Sequence, residues 1–378
     1  MVKNFIKILL IAIISILYFS SCQQNIILSI NNIPENTPKN DTLFFASNLN
    51  QWQPNAKNYH FTKQENGNYL LKLTNAKMPI EYKITRGNWA TVESTLQGQS
   101  IDNRTIQPKS KIVKLDIKGW NDLFEKKSTQ LPNVKIINNN FPIKTLNTTR
   151  RIWICLPMNY KKSDEKYPVL YMHDGQNLFD VLTSYGGEWG VDETMEKLEK
   201  EGKLKLIIVG IDNGGDTRND EYTPWKNAAY GGGNGSAYGK FIVEELKPFI
   251  DKNYRTKTDK NNTATMGSSL GGVISMYLGM EYPETFSKIG AFSPAFWWSD
   301  ECRKQVESQG LITNSKIYLN AGLDEHKLIT SGTKKMEKTL QKIGYSNENL
   351  ITKYVKGGTH SEKFWQSQFE DAVLWLFE

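Results

Sequence analysis

Gly267-Ser268-Ser269-Leu270-Gly271 is the segment that most constrains this chain. It reads G-x-S-x-G. The apolar run Thr263-Ala264-Thr265-Met266 precedes it, and small and apolar residues follow from Gly271 to Leu278. Strand, tight turn, helix is the order that lifts a serine hydroxyl onto a strained corner, here at Ser269. Tyr282-Pro283 then ends the helix. A serine hydroxyl is a poor nucleophile at neutral pH. It needs a base, an acid to orient that base, and donors for a developing oxyanion. The corner therefore makes demands that the rest of the chain must meet.

The base is expected to be a histidine after the serine, preceded by an acid. The chain has four histidines. His60 lies far upstream, and His173 precedes the serine. His360 follows the strand-like Leu350–Val355 in Gly357-Gly358-Thr359-His360, ahead of an amphipathic helix predicted over Phe364–Phe377. A glycine loop at the C-terminal end of a strand is where a ligand-facing imidazole belongs, so His360 is the expected base. His326 reads as a surface loop residue. The acid falls in Asn320-Ala321-Gly322-Leu323-Asp324-Glu325, after Lys316–Leu319. Two adjacent carboxylates, Asp324 and Glu325, leave that choice open.

Two patterns divide the chain. Residues 26–120 carry short alternating strands such as Thr42–Ala46, Asn68–Leu73, Ile80–Thr85 and Lys111–Ile117, which predicts an antiparallel sandwich. Gln23 to Asn25 read as a polar tether before it, and residues 121–133 as a linker after it. Across 134–378, apolar strands alternate with helical stretches, which predicts a mostly parallel sheet covered on both faces.

The N-terminus reads as an export signal. Lys3 and Lys7 precede a twelve-residue apolar run, Ile8–Phe19, long enough for a signal core but short for a membrane span. Ser20-Ser21-Cys22 follows and resembles the lipobox of bacterial lipoproteins. That likeness implies a lipoprotein signal segment over residues 1–22, with cleavage just before Cys22, lipidation of Cys22, and a cell-envelope location. Cys155 and Cys302 lie in unlike contexts and make no disulfide framework. No Cys-x-x-Cys or paired-histidine spacing exists, so neither metal nor cofactor is expected. The formal charge of +7 is spread among interspersed lysines and acids, which argues against a nucleic-acid partner.

The catalytic half resembles the esterase-D-type family, which includes feruloyl and acetyl-xylan esterases, siderophore trilactone esterases and mycolyltransferases. The likeness rests on Tyr171–Asp180, Gly187–Glu193, Gly267–Gly272, Ser293–Trp298 and Gly358–His360. It implies an α/β-hydrolase catalytic domain preceded by an all-β immunoglobulin-like sandwich. It also implies Ser269, Glu325 and His360 as the triad, since the family's acid falls three residues after a glycine, here Gly322. The backbone N–H groups of Leu270 and Gln176 would form the oxyanion hole. Asn213, Arg218, Trp297 and Trp298 would line the substrate pocket, although Arg218 could simply pair with Glu221.

Residues 42–117 resemble starch- and glycogen-binding modules, through Ala46–Trp52, Tyr82–Trp89 and Asp102–Arg104. Trp52 and Trp89 are the implied sugar platforms. Val92 stands before Glu93 where such modules carry a tryptophan, so a spacer role stays open. The expected activity is hydrolysis of carbohydrate-linked acyl esters, feruloyl or acetyl. Siderophore or other small-ester hydrolysis, acyl transfer to a sugar, and non-catalytic glycan binding are the alternatives.

Overall fold

A computed structural model describes residues 23–107, 110–125, 127–184 and 186–378. The leader and Cys22 lie outside the described residues. The chain forms two compact units, divided between Glu125 and Lys126, inside the segment read as a linker. Part of that segment is held to the second unit. Ser128 Oγ donates to Asp180 Oδ2 at 2.7 Å, and the Leu131 N–H donates to Asp192 Oδ2 at 2.8 Å.

The first unit is all-β. One sheet runs in the order 62–63, 69–77, 23–32, 112–116, and a second in the order 44–47, 80–85, 104–106. Ile26, Leu28, Ile30, Leu71 and Leu73 of the first sheet share a core with Phe45, Ile80, Tyr82, Ile84 and Ile106 of the second. Two expectations need correction. Gln23 and Gln24 are already in a strand, paired with Lys77 and Ala76, because polar residues extend a ladder as readily as apolar ones when only backbone groups pair. Strand 23–32 also runs parallel to 112–116, so the first unit is not purely antiparallel. Glu93 and Arg104 form an ion pair at 2.9 Å, with the Glu93 side chain almost fully buried. Trp52 and Trp89 lie half-buried with ring centroids 6.4 Å apart.

The second unit holds an eight-stranded sheet. Its strands are β1 (Val134–Ile143), β2 (Thr148–Cys155), β3 (Val169–His173), β4 (Ile207–Ile211), β5 (Thr263–Ser268), β6 (Lys288–Phe292), β7 (Lys316–Gly322) and β8 (Leu350–Val355). The spatial order is β1-β2-β4-β3-β5-β6-β7-β8. β1 and β2 pair antiparallel, β2 pairs antiparallel with β4, and the rest run parallel. The central strands are apolar on both faces, as a sheet covered on both sides requires.

Side-chain alternation sorts those residues into two cores. Val169, Tyr171, Ile207, Val209, Ile317 and Leu319 join α2 (Leu270–Glu281) and α3 (Lys327–Lys342) on one side. Leu170, Met172, Ile208, Met266 and Tyr318 join α1 (Val191–Lys200) and α4 (Glu362–Phe377) on the other. This is an α/β-hydrolase-like domain. Cys155 and Cys302 are free and buried. Among the described residues, no helix is long and apolar enough to cross a membrane.

Candidate active site

Ser269 follows β5 and caps the start of α2 with φ +56° and ψ −118°. A side chain at positive φ is strained, on the order of 1–3 kcal/mol, and persists only where the surroundings enforce it. Here they do. A Cβ at Gly267 would lie 2.8 Å from the backbone carbon of Gly271, so only glycine lets strand and helix meet across the turn. The Ser269 N–H donates to the Phe292 carbonyl at 2.9 Å, and the Ala295 N–H donates to the Ser269 carbonyl at 3.1 Å. The Leu270 N–H opens α2, where the helix dipole favours negative charge.

Glu325 and His360 lie beyond the same, C-terminal edge of the sheet, after β7 and β8. Their loops touch at backbone level, since a Cβ on Gly322 would collide with the Gly358 carbonyl. His360 Nδ1 lies 2.8 Å from Glu325 Oε2, and the Glu325 side chain is fully buried. Asp324 is exposed, and its backbone N–H donates to the Gly358 carbonyl. Between the two adjacent carboxylates, the structure therefore brings Glu325 to the imidazole. His326 instead caps α3 through Nδ1 and the Leu328 N–H. His60 Nδ1 meets the Lys57 carbonyl in the first unit.

The loop after β3 shapes the other side. His173 is buried between Tyr238 Oη and Thr265 Oγ1, and burial pushes its pKa down to about 3, so it is a neutral core residue. Asp174 follows at φ +58° and turns the chain into Gly175-Gln176-Asn177. Its carboxylate takes a forked pair of hydrogen bonds from Arg218 Nε and Nη2, at 2.7 and 2.8 Å, and a third from Asn213 Nδ2 at 2.7 Å. Burial alone would raise the Asp174 carboxyl, but the Arg218 charge and these hydrogen bonds outweigh it and hold it low. Gln176 is buried, its Oε1 accepting from the Asn213 N–H and its carbonyl from Thr183 Oγ1.

This corrects one expectation. Arg218 does not pair with Glu221, which instead binds Arg150 at 2.5 Å. Asn213 and Arg218, half-buried, hold the Asp174 loop. The tryptophans also differ from each other. Trp298 is 6% exposed, with Nε1 on the Trp225 carbonyl. Trp297 is half-buried and stands edge-on to Tyr230, centroids 5.7 Å apart. Among the described residues, no group of three or more His, Cys, Asp or Glu could hold a metal ion.

Because removing one partner of a buried ion pair strands the other, Arg218→Met is expected to cost about 3 kcal/mol. A lowered thermal midpoint measures it, and adding Asp174→Asn should recover much of the loss. Since the Asp174 pKa is depressed, the pair's contribution is present above the unfolded carboxylate pKa. It is lost as pH falls through the folded value.

Residues 143–376 match the family described as "Putative esterase". That is more than half of the chain, which therefore belongs to this family and is an esterase. The chain is 27% identical over 242 residues to the uncharacterized protein YbbA of Bacillus subtilis, covering 60% of this chain and 92% of that one. It is 29% identical over 231 residues to an endo-1,4-beta-xylanase/feruloyl esterase of Xylanibacter ruminicola, covering 60% of this chain and 29% of that longer one. Among solved structures, an enterochelin esterase from Shigella flexneri gives a TM-score of 0.57 at 15% identity, covering 94% of this chain and 92% of that one. At that identity the likeness is one of fold.

Proposed function

We propose that the chain is a serine esterase working through an acyl-enzyme, with Ser269 as nucleophile, His360 as general base and Glu325 as orienting acid. The observation that carries this is the buried Glu325 on His360 Nδ1, in loops that leave the same C-terminal sheet edge as Ser269, which is held at positive φ after β5. With Nδ1 on Glu325, Nε2 of His360 is the nitrogen assigned to take the Ser269 proton. Attack on the ester carbonyl forms a tetrahedral oxyanion, which the N–H groups of Leu270 and Gln176 stabilise. Collapse expels the alcohol, which His360 protonates. Water then releases the acid by the same steps, with His360 again acting as base. Backbone donors suit the oxyanion because their geometry is set before reaction, and each is worth about 10²–10³ in rate.

The substrate class we propose is a carbohydrate-linked acyl ester, feruloyl or acetyl. The feruloyl-esterase name of the Xylanibacter relative and the module-like tryptophans of the first unit support it. Half-exposed Trp297, two residues after the Ala295 that binds the Ser269 carbonyl, and the Tyr230 ring against it offer an aromatic wall for such an acyl group. The enzyme would work in the cell envelope on a lipid anchor at Cys22.

An ester panel tests this, with products identified by mass spectrometry. Feruloylated or acetylated xylo-oligosaccharides should be turned over at least tenfold faster, by kcat/KM, than a catecholate trilactone, and the trapped acyl group should map to Ser269. Preference for the trilactone would overturn the carbohydrate assignment. Acylated sugar acceptors among the products would make the enzyme a transferase.

A further inference from the structure

Glu325 carries more hydrogen bonds than one imidazole explains. Oε2 faces His360. Oε1 accepts from the Gly322 N–H at 2.7 Å and from Ser293 Oγ at 2.6 Å. Ser293 Oγ in turn accepts from Trp365 Nε1 at 2.9 Å. The Trp365 ring then stands edge-on to His360, centroids 5.1 Å apart at 87°. Four side chains thus close a ring: His360, Glu325, Ser293, Trp365. Ser293 is fully buried and Trp365 is 5% exposed.

The direction of these bonds is dictated by chemistry. An indole N–H only donates, and an ionised carboxylate only accepts. The Ser293 hydroxyl has one proton, so it must accept from Trp365 and give that proton to Glu325. The backbone argues the same way. Ser293 sits at φ +43°, where glycine would be less strained. A serine there is explained by what its hydroxyl does. Its N–H is also anchored, to the Asn320 carbonyl of β7 at 2.9 Å, just where the chain leaves β6.

We infer that Ser293 and Trp365 are positioning residues of the esterase site, fixing the Glu325 carboxylate so that Oε2 alone is presented to His360 Nδ1. The inference rests on the triad reading above. Without the Ser293 proton, Glu325 can rotate, and its negative charge bears more fully on the imidazole. Both effects fall on the chemical step rather than on substrate binding.

The test compares Ser293→Gly, Ser293→Ala and Trp365→Phe with the native chain, with Ser269→Ala as the control. Alanine keeps the native Cβ at this positive φ and glycine relieves its strain, and both delete the hydroxyl. Phenylalanine keeps a ring against His360 and deletes the N–H. Both Ser293 variants should lose about tenfold in kcat with KM within twofold, as expected when an interaction matters mainly in the transition state. The acid limb of kcat/KM should move up by about half a pH unit, because the imidazolium is held more strongly. Trp365→Phe should shift both in the same direction by less.

Other charged groups nearby are Asp324 and His326 beside Glu325, Glu362 beyond His360, and the Asp174–Arg218 pair, whose Asp174 lies against Gly271. All are unchanged in these variants, so their effects cancel. A native kcat and acid limb in Ser293→Gly, with Ser269→Ala inactive, would overturn the inference and leave the triad standing. Loss in Ser293→Ala but not in Ser293→Gly would assign the effect to backbone strain and overturn it too. Activity retained by Ser269→Ala would remove the triad itself.

Discussion

Ser269→Ala is expected to lower turnover of a simple aryl ester about 10⁶-fold, by analogy with nucleophile deletions in other serine hydrolases. The size follows from what the substitution removes. Without Oγ no acyl-enzyme forms, and the remaining donors can only polarise the carbonyl toward bulk water. Alanine leaves the turn intact. The contacts that hold residue 269 at positive φ are backbone ones, to Phe292 and Ala295, and they survive the change. The folded state should therefore be retained, and stopped-flow release of p-nitrophenol should show no burst. Ser268→Ala is the matched control. It occupies the variable position of the turn, is buried at the end of β5, and should keep activity within a few-fold. If Ser268→Ala were the silent variant and Ser269→Ala the active one, the nucleophile would be misassigned.

How much of this was legible in the sequence depends on the range of the forces involved. The Gly267–Gly271 turn is local, so strand, corner and helix are written within a few residues. The β/α alternation of the second unit is legible for the same reason, because each strand carries its own apolar run. The pairing of Arg218 was not. Glu221 lies three residues away and is the obvious partner, yet Asp174, 44 residues upstream, receives the guanidinium. Glu221 is taken by Arg150 from β2. Ion pairs follow the packed geometry, and sequence separation says little once two loops meet above a sheet edge. The strand beginning at Gln23 was hidden in another way. Its polar start pairs by backbone with Lys77 and Ala76, while its parallel partner begins at Ile112, leaving no local hairpin signal. Ser293 and Trp365 left only faint traces, one inside a family-like segment and the other on an ordinary amphipathic helix.

Glu325→Gln and Asp324→Asn should separate by several orders of magnitude. Adjacent carboxylates in one loop look equivalent in sequence, and the loop's closure makes them different. The Gly322–Gly358 approach turns Glu325 inward, where its side chain is fully buried against His360. Asp324 is left in solvent. Glutamine at 325 keeps the size of the side chain but replaces one carboxylate oxygen with a donor. If the amide oxygen faces the imidazole, the charge that steadies the imidazolium is gone. If the amide nitrogen faces it, His360 is forced into the wrong tautomer. Either way kcat should fall about 10⁴-fold, the scale seen when a triad acid becomes its amide. The Ser293 hydroxyl and the Gly322 N–H bias which arrangement wins. Both donate to Oε1, so they prefer an oxygen at that position and push the amide nitrogen toward His360. The wrong-tautomer state should then dominate, and the loss should persist across the tested pH range, since a neutral imidazole keeps its one N–H there. Asp324→Asn, exposed and linked to the site only through its backbone N–H, should stay within about threefold of the native rate. Steady-state kinetics on the two variants from pH 5 to 10 decides the assignment. A large loss in Asp324→Asn with Glu325→Gln nearly native would exchange the roles of the two carboxylates.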